Sequence, residues 1–573
     1  MSVVLGVSAL YHDAAVALVI DGELRGALQQ ERVSRLKGDP RLPIAAAHAV
    51  LAAAHMTAAD LDAVVFYENP FARLEHVLVS TLRGFPQTLR QFPRAMAAQL
   101  SQKLWVKDEL AAGLGIDRTR IHHDEHHRSH AASAYFASGA QTAAVLCVDG
   151  VGEDTCTSVW RGDGTSLRLL SRQLFPHSVG LFYAAITAWL GFRVLEGEQQ
   201  VMGLAALGSP TKLAAMERLA RINVDGSIEL DLSCFAHHYD HTLGFSAGFV
   251  KVFGPPRRPG KAWVLDDQGV PVDAADRHYA DVAASAQHHT EAMLLALAQH
   301  ARSLCPDVDT LCLAGGVALN ACANGILSQR SGFARVFVQP AAGDAGGALG
   351  AAWNFGRSRG DVPRPLAHAA WGPALTAAMM VPLATACGLV SQPVVPAEVV
   401  ARLWRGQVLA LVDGRSEFGP RALGHRSLLA APGPRRVQDH INTAIKRREP
   451  FRPFAPAVLR DDAAAYFDHV TDDLGRFMTG VSTTKTAWRE TLGAVTHHDG
   501  TARVQCVDEH APHLHALLQA AQAAGHPPVL LNTSLNGRRE PICQGAVDVV
   551  RFLLAHPDVN GVVVDDVLLT RPS

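Results

Sequence analysis

Nothing in the 573-residue chain is apolar for long enough to cross a bilayer. The longest apolar run, Leu181 to Phe192, is too short for a hydrocarbon core of roughly 30 Å. The stretch from Met1 to Ile20 is apolar but carries His12 and Asp13 at its centre. It has no basic n-region and no small-residue cleavage site, so a signal peptide is not expected and a cytoplasmic chain is. Charge of one sign is missing too. Lys+Arg is 52 and Asp+Glu 54, a net −2, which lacks the global positive field of a non-specific nucleic-acid binder. No nucleic-acid partner and no membrane are therefore expected. The 9 cysteines form no CxxC pair, which excludes a zinc ribbon or redox motif and predicts reduced, mostly buried thiols. No P-loop lysine motif and no Rossmann fingerprint appear. P-loop kinase and dehydrogenase are demoted on that ground, and a serine hydrolase with them, because no Gly-x-Ser-x-Gly nucleophile elbow is expected either.

The chain does have material for large cores, with 48% hydrophobic and 18% charged residues. That excludes an intrinsically disordered chain. At roughly 150 residues per domain it predicts three to four units, or two large ones. Val3 to Val7, then Ala14 to Ile20, the Asp21-Gly22 turn and Glu23 to Glu31 read as successive strands. The same grammar returns at Ala143 to Val148, Asp149 to Glu153 and Thr155 to Trp160. A third strand, Thr310 to Ala314, runs into Gly315-Gly316 and on to Asn320. Helical stretches include Arg128 to Ser138 and Tyr279 to Ser303. Strand–turn–strand units with an acidic residue, then a strand ending in Gly-Gly before a helix, predict an actin/Hsp70/sugar-kinase architecture. Bare glycines there let backbone approach phosphates. Asn354 to Asp361, with Pro363 and Pro365, reads as a linker or extended surface segment. Beyond it, Val408 to Val412, Pro528 to Leu531 and Val562 to Leu569 are strand candidates of a second α/β unit.

Three constellations could carry chemistry. In His122-His123-Asp124-Glu125-His126-His127-Arg128-Ser129-His130, a helix starting near His126 puts His126 and His130 on one face, where two imidazoles can share a metal. Asp149 and Asp344 are candidate further ligands, and such a set suits iron, zinc or manganese. The chain holds 28 histidines, so a structural cluster is the bland alternative. His122, Glu125 and His126 also spell His-x-x-Glu-His, a cheap match in so His-rich a run. The second constellation places Arg421, Arg426, Arg435, Arg436, Lys446, Arg447, Arg448 and Arg452 in one window. Arg421 and Arg452 sit among Gly, Pro, Phe and Ala, where phosphate recognition explains a cation better than a solvated face does. Asn532 to Gly537 adds small polar donors beside a strand. The third is His12-Asp13 at a hairpin tip, either a general base of near-neutral pKa or a turn histidine.

These residues resemble the O-carbamoyltransferases of antibiotic and nodulation-factor biosynthesis. The resemblance spans nearly the whole chain. It rests on His12-Asp13, His126 to Ala134, Val201-Met202-Gly203-Leu204-Ala205, Ala314 to Asn320, Phe418 to Ser427, Lys446 to Pro456 and Asn532 to Asn536. It implies a Kae1-like domain over residues 1–360 and a YrdC-like α/β domain over 361–573. In the second, carbamoyl phosphate would be cleaved to carbamate, which attacks ATP to give carbamoyl-adenylate and pyrophosphate. Arg421, Lys446, Arg452, Ser534 and Asn536 match the anion-holding positions, and Arg503 is a further candidate. In the first, His126, His130, Asp149 and Asp344 match metal ligands, with iron(II) implied there and Mg2+ accompanying ATP. Gly315, Gly316 and Asn320 would lie near the nucleotide. His12 matches the base that deprotonates the acceptor hydroxyl, and AMP leaves. An internal path that excludes water would protect the intermediate. Gln199-Gln200 stand where the family often has Tyr-Lys, which puts one nucleotide or acceptor contact in question. The implied partners are carbamoyl phosphate, ATP and a hydroxylated natural product, such as a deoxysugar, aminocyclitol or polyketide. A monomer or a homodimer is equally compatible. The rivals are an actin-fold small-molecule kinase, a tRNA threonylcarbamoyl transferase-like enzyme, and a non-enzymatic ATP-dependent scaffold.

Overall fold

The computed structural model describes residues 2–240, 244–266 and 269–572. Gly38–Leu366, together with the residues up to Gln30, make one compact unit. Glu31–Lys37 and the residues from Ala367 onward make a second.

The first unit repeats one topology. The strands of its two five-stranded sheets are β1 (Val3–Ser8), β2 (Ala15–Ile20), β3 (Glu23–Gln29), β4 (Ala63–Phe66), β5 (Ile121–His123), β6 (Thr142–Gly152), β7 (Thr155–Asp163), β8 (Ser166–Leu174), β9 (Thr310–Ala314) and β10 (Arg335–Val338). One sheet runs β3-β2-β1-β4-β5 and the other β8-β7-β6-β9-β10. In both, the first three strands are antiparallel and the last two add in parallel. That duplicated order is the actin/Hsp70-like architecture expected from the strand-to-glycine elements. β1 is buried at every position, which accounts for its unbroken apolar sequence: with both faces covered there is no polar side to alternate with.

Two helices bring the site residues together: α1 (His126–Ser138) and α2 (Asp344–Ser358). They cross backbone to backbone. A Cβ on Gly350 would sit 1.7 Å from the Ser129 carbonyl oxygen, so only glycine permits the approach. α2 also packs on β1 and β2, where a Cβ on Gly6 would meet the Ala348 oxygen at the same 1.7 Å. The linker expected from Asn354 is displaced. α2 runs through Ser358, because Trp353 is buried with its indole N–H on the Gly22 carbonyl and Asn354 donates to Asp124.

The second unit is built on an eight-stranded sheet. Its strands are β11 (Val390–Pro393), β12 (Leu409–Val412), β13 (Arg426–Ala430), β14 (Ala455–Leu459), β15 (Gln505–Val507), β16 (Val529–Ser534), β17 (Gly561–Val564) and β18 (Val567–Thr570). Their order is β11-β18-β17-β12-β13-β16-β14-β15. Along β12, Leu409 and Leu411 enter one core and Ala410 and Val412 the other, the period-two alternation of a strand between two layers. The single strand expected over Val562 to Leu569 is a hairpin, turned at Asp565 in a left-handed conformation (φ 48°). Among the described residues no helix is long and apolar enough to cross a membrane.

Candidate functional site

β5 ends at His123, and α1 begins three residues later, so His126 and His130 project from one face of the first turns. The Glu153 carboxylate accepts from the His126 backbone N–H at 3.0 Å and fixes the helix start from outside. Asp149 comes from the far part of β6, Asp344 from the first residue of α2. One ligand atom from each of these four buried residues lies within 4.8 Å of every other. The His126 Nε2 is 3.0 Å from the His130 Nε2 and 3.0 Å from the Asp149 Oδ2. The Asp344 Oδ1 is 3.6 Å from the first nitrogen and 3.4 Å from the second.

This geometry fits a bound cation. Two imidazole nitrogens and two carboxylate oxygens converge in a buried site, and among the described residues the buried Asp344 Oδ1 has no hydrogen-bond partner. Burying such lone pairs together is costly unless positive charge joins them. A His2Asp2 donor set suits iron, zinc or manganese. The outer shell is built as well. The His126 Nδ1 faces Glu68 at 3.8 Å, and Lys103 holds Glu68 at 2.9 Å. Burial works against that carboxylate, yet Lys103 and His126 keep it well below the usual range. Carboxylate–histidine pairs of this kind orient metal-bound imidazoles. The Tyr67 hydroxyl donates to the Asp344 Oδ2 at 3.2 Å, and burial raises its pKa well above the usual value, so it stays a donor.

His12 stands at the edge of the cluster. Its Nε2 is 3.5 Å from the Asp344 Oδ2, and its Nδ1 is 3.2 Å from the Asp13 Oδ2. Burial pulls its pKa down, but Asp344 and Asp13 prevail and raise it to about 9, above the near-neutral value expected from sequence. Positive charge bound at Asp344 would oppose that rise.

The glycine pair is tied to the same centre. Gly315 adopts φ 90°, and a Cβ there would lie 2.2 Å from the Val148 oxygen. The Gly316 N–H donates to the Asp149 Oδ1 at 3.0 Å. Asn320 is turned inward: its amide pairs with Gln287 in both directions at 3.0 Å and caps the helix Ala321–Arg330 by accepting from the Ala323 N–H.

In the second unit, Lys446 reaches the main-chain oxygens of Ser534 and Asn536 and the Asn536 Oδ1, the last at 2.9 Å. The Ser534 hydroxyl donates to that same Oδ1 at 2.6 Å. Around this knot the cations crowd one another. Burial, then Arg448 and Arg452, drives the Lys446 pKa far down. Burial, then Arg452 and Arg503, does the same to Arg448. Burial and Arg503 bring Arg421 to about 9. A guanidinium does not give up its proton at such sites. The depressions therefore express first the cost of burying charge and second the repulsion between like charges, both of which a multivalent anion offsets. Arg421, Lys446, Arg452 and Arg503 thus share one field, with Glu449 the opposing carboxylate beside Arg452.

Sequence reasoning missed Tyr67, Glu68, Lys103 and Glu153, and counted Arg448 without giving it a role. Tyr67-Glu68 directly follow the apolar β4, a strand-end position that could have flagged them. Lys103 carries no local signal. It also overlooked Gly244-Phe245-Ser246-Ala247-Gly248, which spells Gly-x-Ser-x-Gly. Ser246 is no nucleophile: it caps the helix Ala247–Phe253, donating to the Ser233 carbonyl at 2.6 Å and accepting from the Gly248 N–H. The serine-hydrolase reading stays excluded on structural grounds.

Two family models match the chain. Residues 3–353 match the family model described as Carbamoyltransferase N-terminus, and residues 400–571 the one described as Carbamoyltransferase C-terminus. An uncharacterized protein of Synechocystis sp. is 36% identical over 100% of this chain and 97% of its own length. Nodulation protein NolNO of Sinorhizobium fredii is 33% identical, covering 98% of this chain and 79% of its own. Nodulation protein U of the same organism is 30% identical over 92% of each.

Proposed function

The chain belongs to the carbamoyltransferase family, and on that premise we propose that this enzyme transfers a carbamoyl group to a hydroxyl of a natural product, with ATP and carbamoyl phosphate as co-substrates. The observation that carries the reading is the convergence of His126, His130, Asp149 and Asp344, with His12 3.5 Å from Asp344.

The second unit makes the activated donor. Water cleaves carbamoyl phosphate to carbamate and inorganic phosphate. A carbamate oxygen then attacks the α-phosphorus of ATP, the bond to the β-phosphate oxygen breaks, and pyrophosphate leaves. Arg421, Arg452 and Arg503 supply fixed forks for the phosphoryl oxygens. Lys446, held by Ser534 and Asn536, supplies a point charge where negative charge builds up.

The first unit spends the carbamoyl-adenylate. His12 takes the proton of the acceptor hydroxyl at Nε2, the acceptor oxygen bonds to the carbamoyl carbon, and the carbonyl–oxygen bond to AMP breaks. His126, His130, Asp149 and Asp344 would hold a divalent metal, iron(II) being the expected one, whose chemistry there is Lewis-acid stabilisation of the adenylate phosphate. Asp13 orients the His12 ring, and Tyr67 fixes Asp344. Gly315 and Gly316 tie this turn to Asp149, beside which the nucleotide would lie.

Product analysis tests this. The enzyme incubated with ATP and a divalent metal should release AMP and pyrophosphate only when carbamoyl phosphate is present. ADP formation, or turnover indifferent to carbamoyl phosphate, would return an actin-fold kinase to the front.

A further inference from the structure

Seven residues of the N-terminal sequence, Glu31–Lys37, group with the second unit, although both flanks belong to the first. They form a strap. The ion pair between Lys37 and Glu31, at 2.8 Å, closes it on itself. Arg32 is 1% exposed and donates to the main-chain oxygens of Glu417 and Gly419, at 3.3 and 2.9 Å. Those residues lead directly into Pro420-Arg421. Arg35 donates to the oxygens of Pro541 and Ile542, both at 2.8 Å, and pairs with Asp548 at 3.3 Å. That loop follows Ser534 and Asn536, and the Asn536 side chain donates to the Glu540 oxygen at 2.7 Å. The strap thus grips the main chain beside both halves of the anion site.

The strap's ends hold something else. The Gln30 N–H donates to the Ala14 oxygen at 2.7 Å, and the Ala14 N–H donates to the Asp39 oxygen at 3.1 Å. The Leu10 N–H donates to the Pro40 oxygen at 2.7 Å. These bonds bracket Tyr11-His12-Asp13. Leu10 and Asp13 are both left-handed, at φ 69° and 48°, and so is Arg35 at φ 60°. Side-chain-bearing residues keep such conformations only where the surroundings over-determine them. The His12 loop is strained, and the two ends of the strap are what pin it.

We propose that Arg32 and Arg35 are positioning residues: by anchoring the strap they set the main chain beside the anion site, and through the strap's two ends they keep the His12 loop pinned. Neither arginine touches substrate. This rests on the two-step reading above.

The test uses the full-length protein carrying Arg35→Ala or Arg32→Lys. Backbone hydrogen exchange reports the His12 loop through the amides of Leu10 and Ala14. ATP–pyrophosphate exchange driven by carbamoyl phosphate reports the anion site. Both variants should speed exchange at Leu10 and Ala14 at least fivefold and raise the KM for carbamoyl phosphate about tenfold. The kcat of the exchange reaction and the bound-metal content should stay within twofold. Arg35→Lys, which can still donate to one carbonyl, should recover part of the KM and carries the test if Arg35→Ala does not fold. Wild-type exchange at Leu10 and Ala14 in the folded variants overturns the proposal, whatever happens to KM. If the wild-type enzyme shows no exchange reaction, the functional reading fails while the hydrogen-exchange arm still decides the strap.

Discussion

The Nε2 atoms of His126 and His130 face each other at 3.0 Å, with Asp149 at 3.0 Å from the first and Asp344 at 3.4 Å from the second. Two imidazoles so placed cannot both point a proton inward, and the carboxylates offer only lone pairs. A shared cation reconciles the four groups.

Removing one ligand should therefore empty the centre without unfolding the chain. Asp344→Asn keeps the shape of α2's first residue but halves the carboxylate charge of the set. Bound metal, measured by elemental analysis of purified protein, should fall at least tenfold, and AMP release should fall about 100-fold. Unchanged metal content in the variant would refute the assignment.

The helix crossing that delivers Asp344 depends on Gly350. A methyl group there would meet the Ser129 oxygen at 1.7 Å, so α1 and α2 must move apart. Gly350→Ala should cost about 3 kcal/mol of stability in thermal or denaturant unfolding, and weaken metal binding with it.

Lys446 is buried in the knot with Ser534 and Asn536. Lys446→Met keeps the length and apolar stem and deletes the charge. Carbamoyl-phosphate-dependent AMP formation should drop about 100-fold, while metal content stays at the wild-type level because the first unit is untouched.

A pH dependence of stability follows from His513, whose Nδ1 lies 3.0 Å from the Asp413 Oδ1. The neighbouring Asp413 carboxylate raises the His513 pKa. Burial works against the Asp413 charge, but His513 and His425 hold its pKa below the usual value. The histidine's contribution is complete below its unfolded pKa of about 6.5 and fades as pH rises through the raised value. The aspartate's is present above about 3.9 and fades as pH falls through the depressed value. Asp413→Asn should thus cost most between about pH 4 and 6.5, roughly 1 kcal/mol for so partly exposed a pair, and little at pH 9. Unfolding curves at pH 5.5 and 9 decide it.

Much of the candidate site was legible locally. The His-x-x-x-His spacing names two ligands because a helix puts residues four apart on one face. The apolar run that leads into Asp149, and the strand that runs into Gly315-Gly316, announce places where backbone comes close to something else. The cations from Arg421 to Arg452 stand out because they sit among Gly, Pro and Phe. Linear sequence could not reveal the outer shell. Lys103 reaches Glu68 from 35 positions away, in a stretch with no motif. Asn320 reads as a nucleotide contact and is spent on Gln287, since an amide's partner depends on which helix packs beside it.

The sequence by itself determined the residue chemistry: which strands are buried on both faces, where helix α1 begins, and which carboxylates, imidazoles and guanidinium groups are at hand. Those follow from propensity, periodicity and side-chain type, all of which act over a few residues. The tertiary structure decided which of these groups meet. Asp344 joins His126, His130 and Asp149 only because Gly350 lets two helices touch, and Glu31–Lys37 group with the second unit because Arg32 and Arg35 find carbonyls some 385 and 507 positions away. Long-range pairing is set by the packing of whole elements, and no local pattern encodes it.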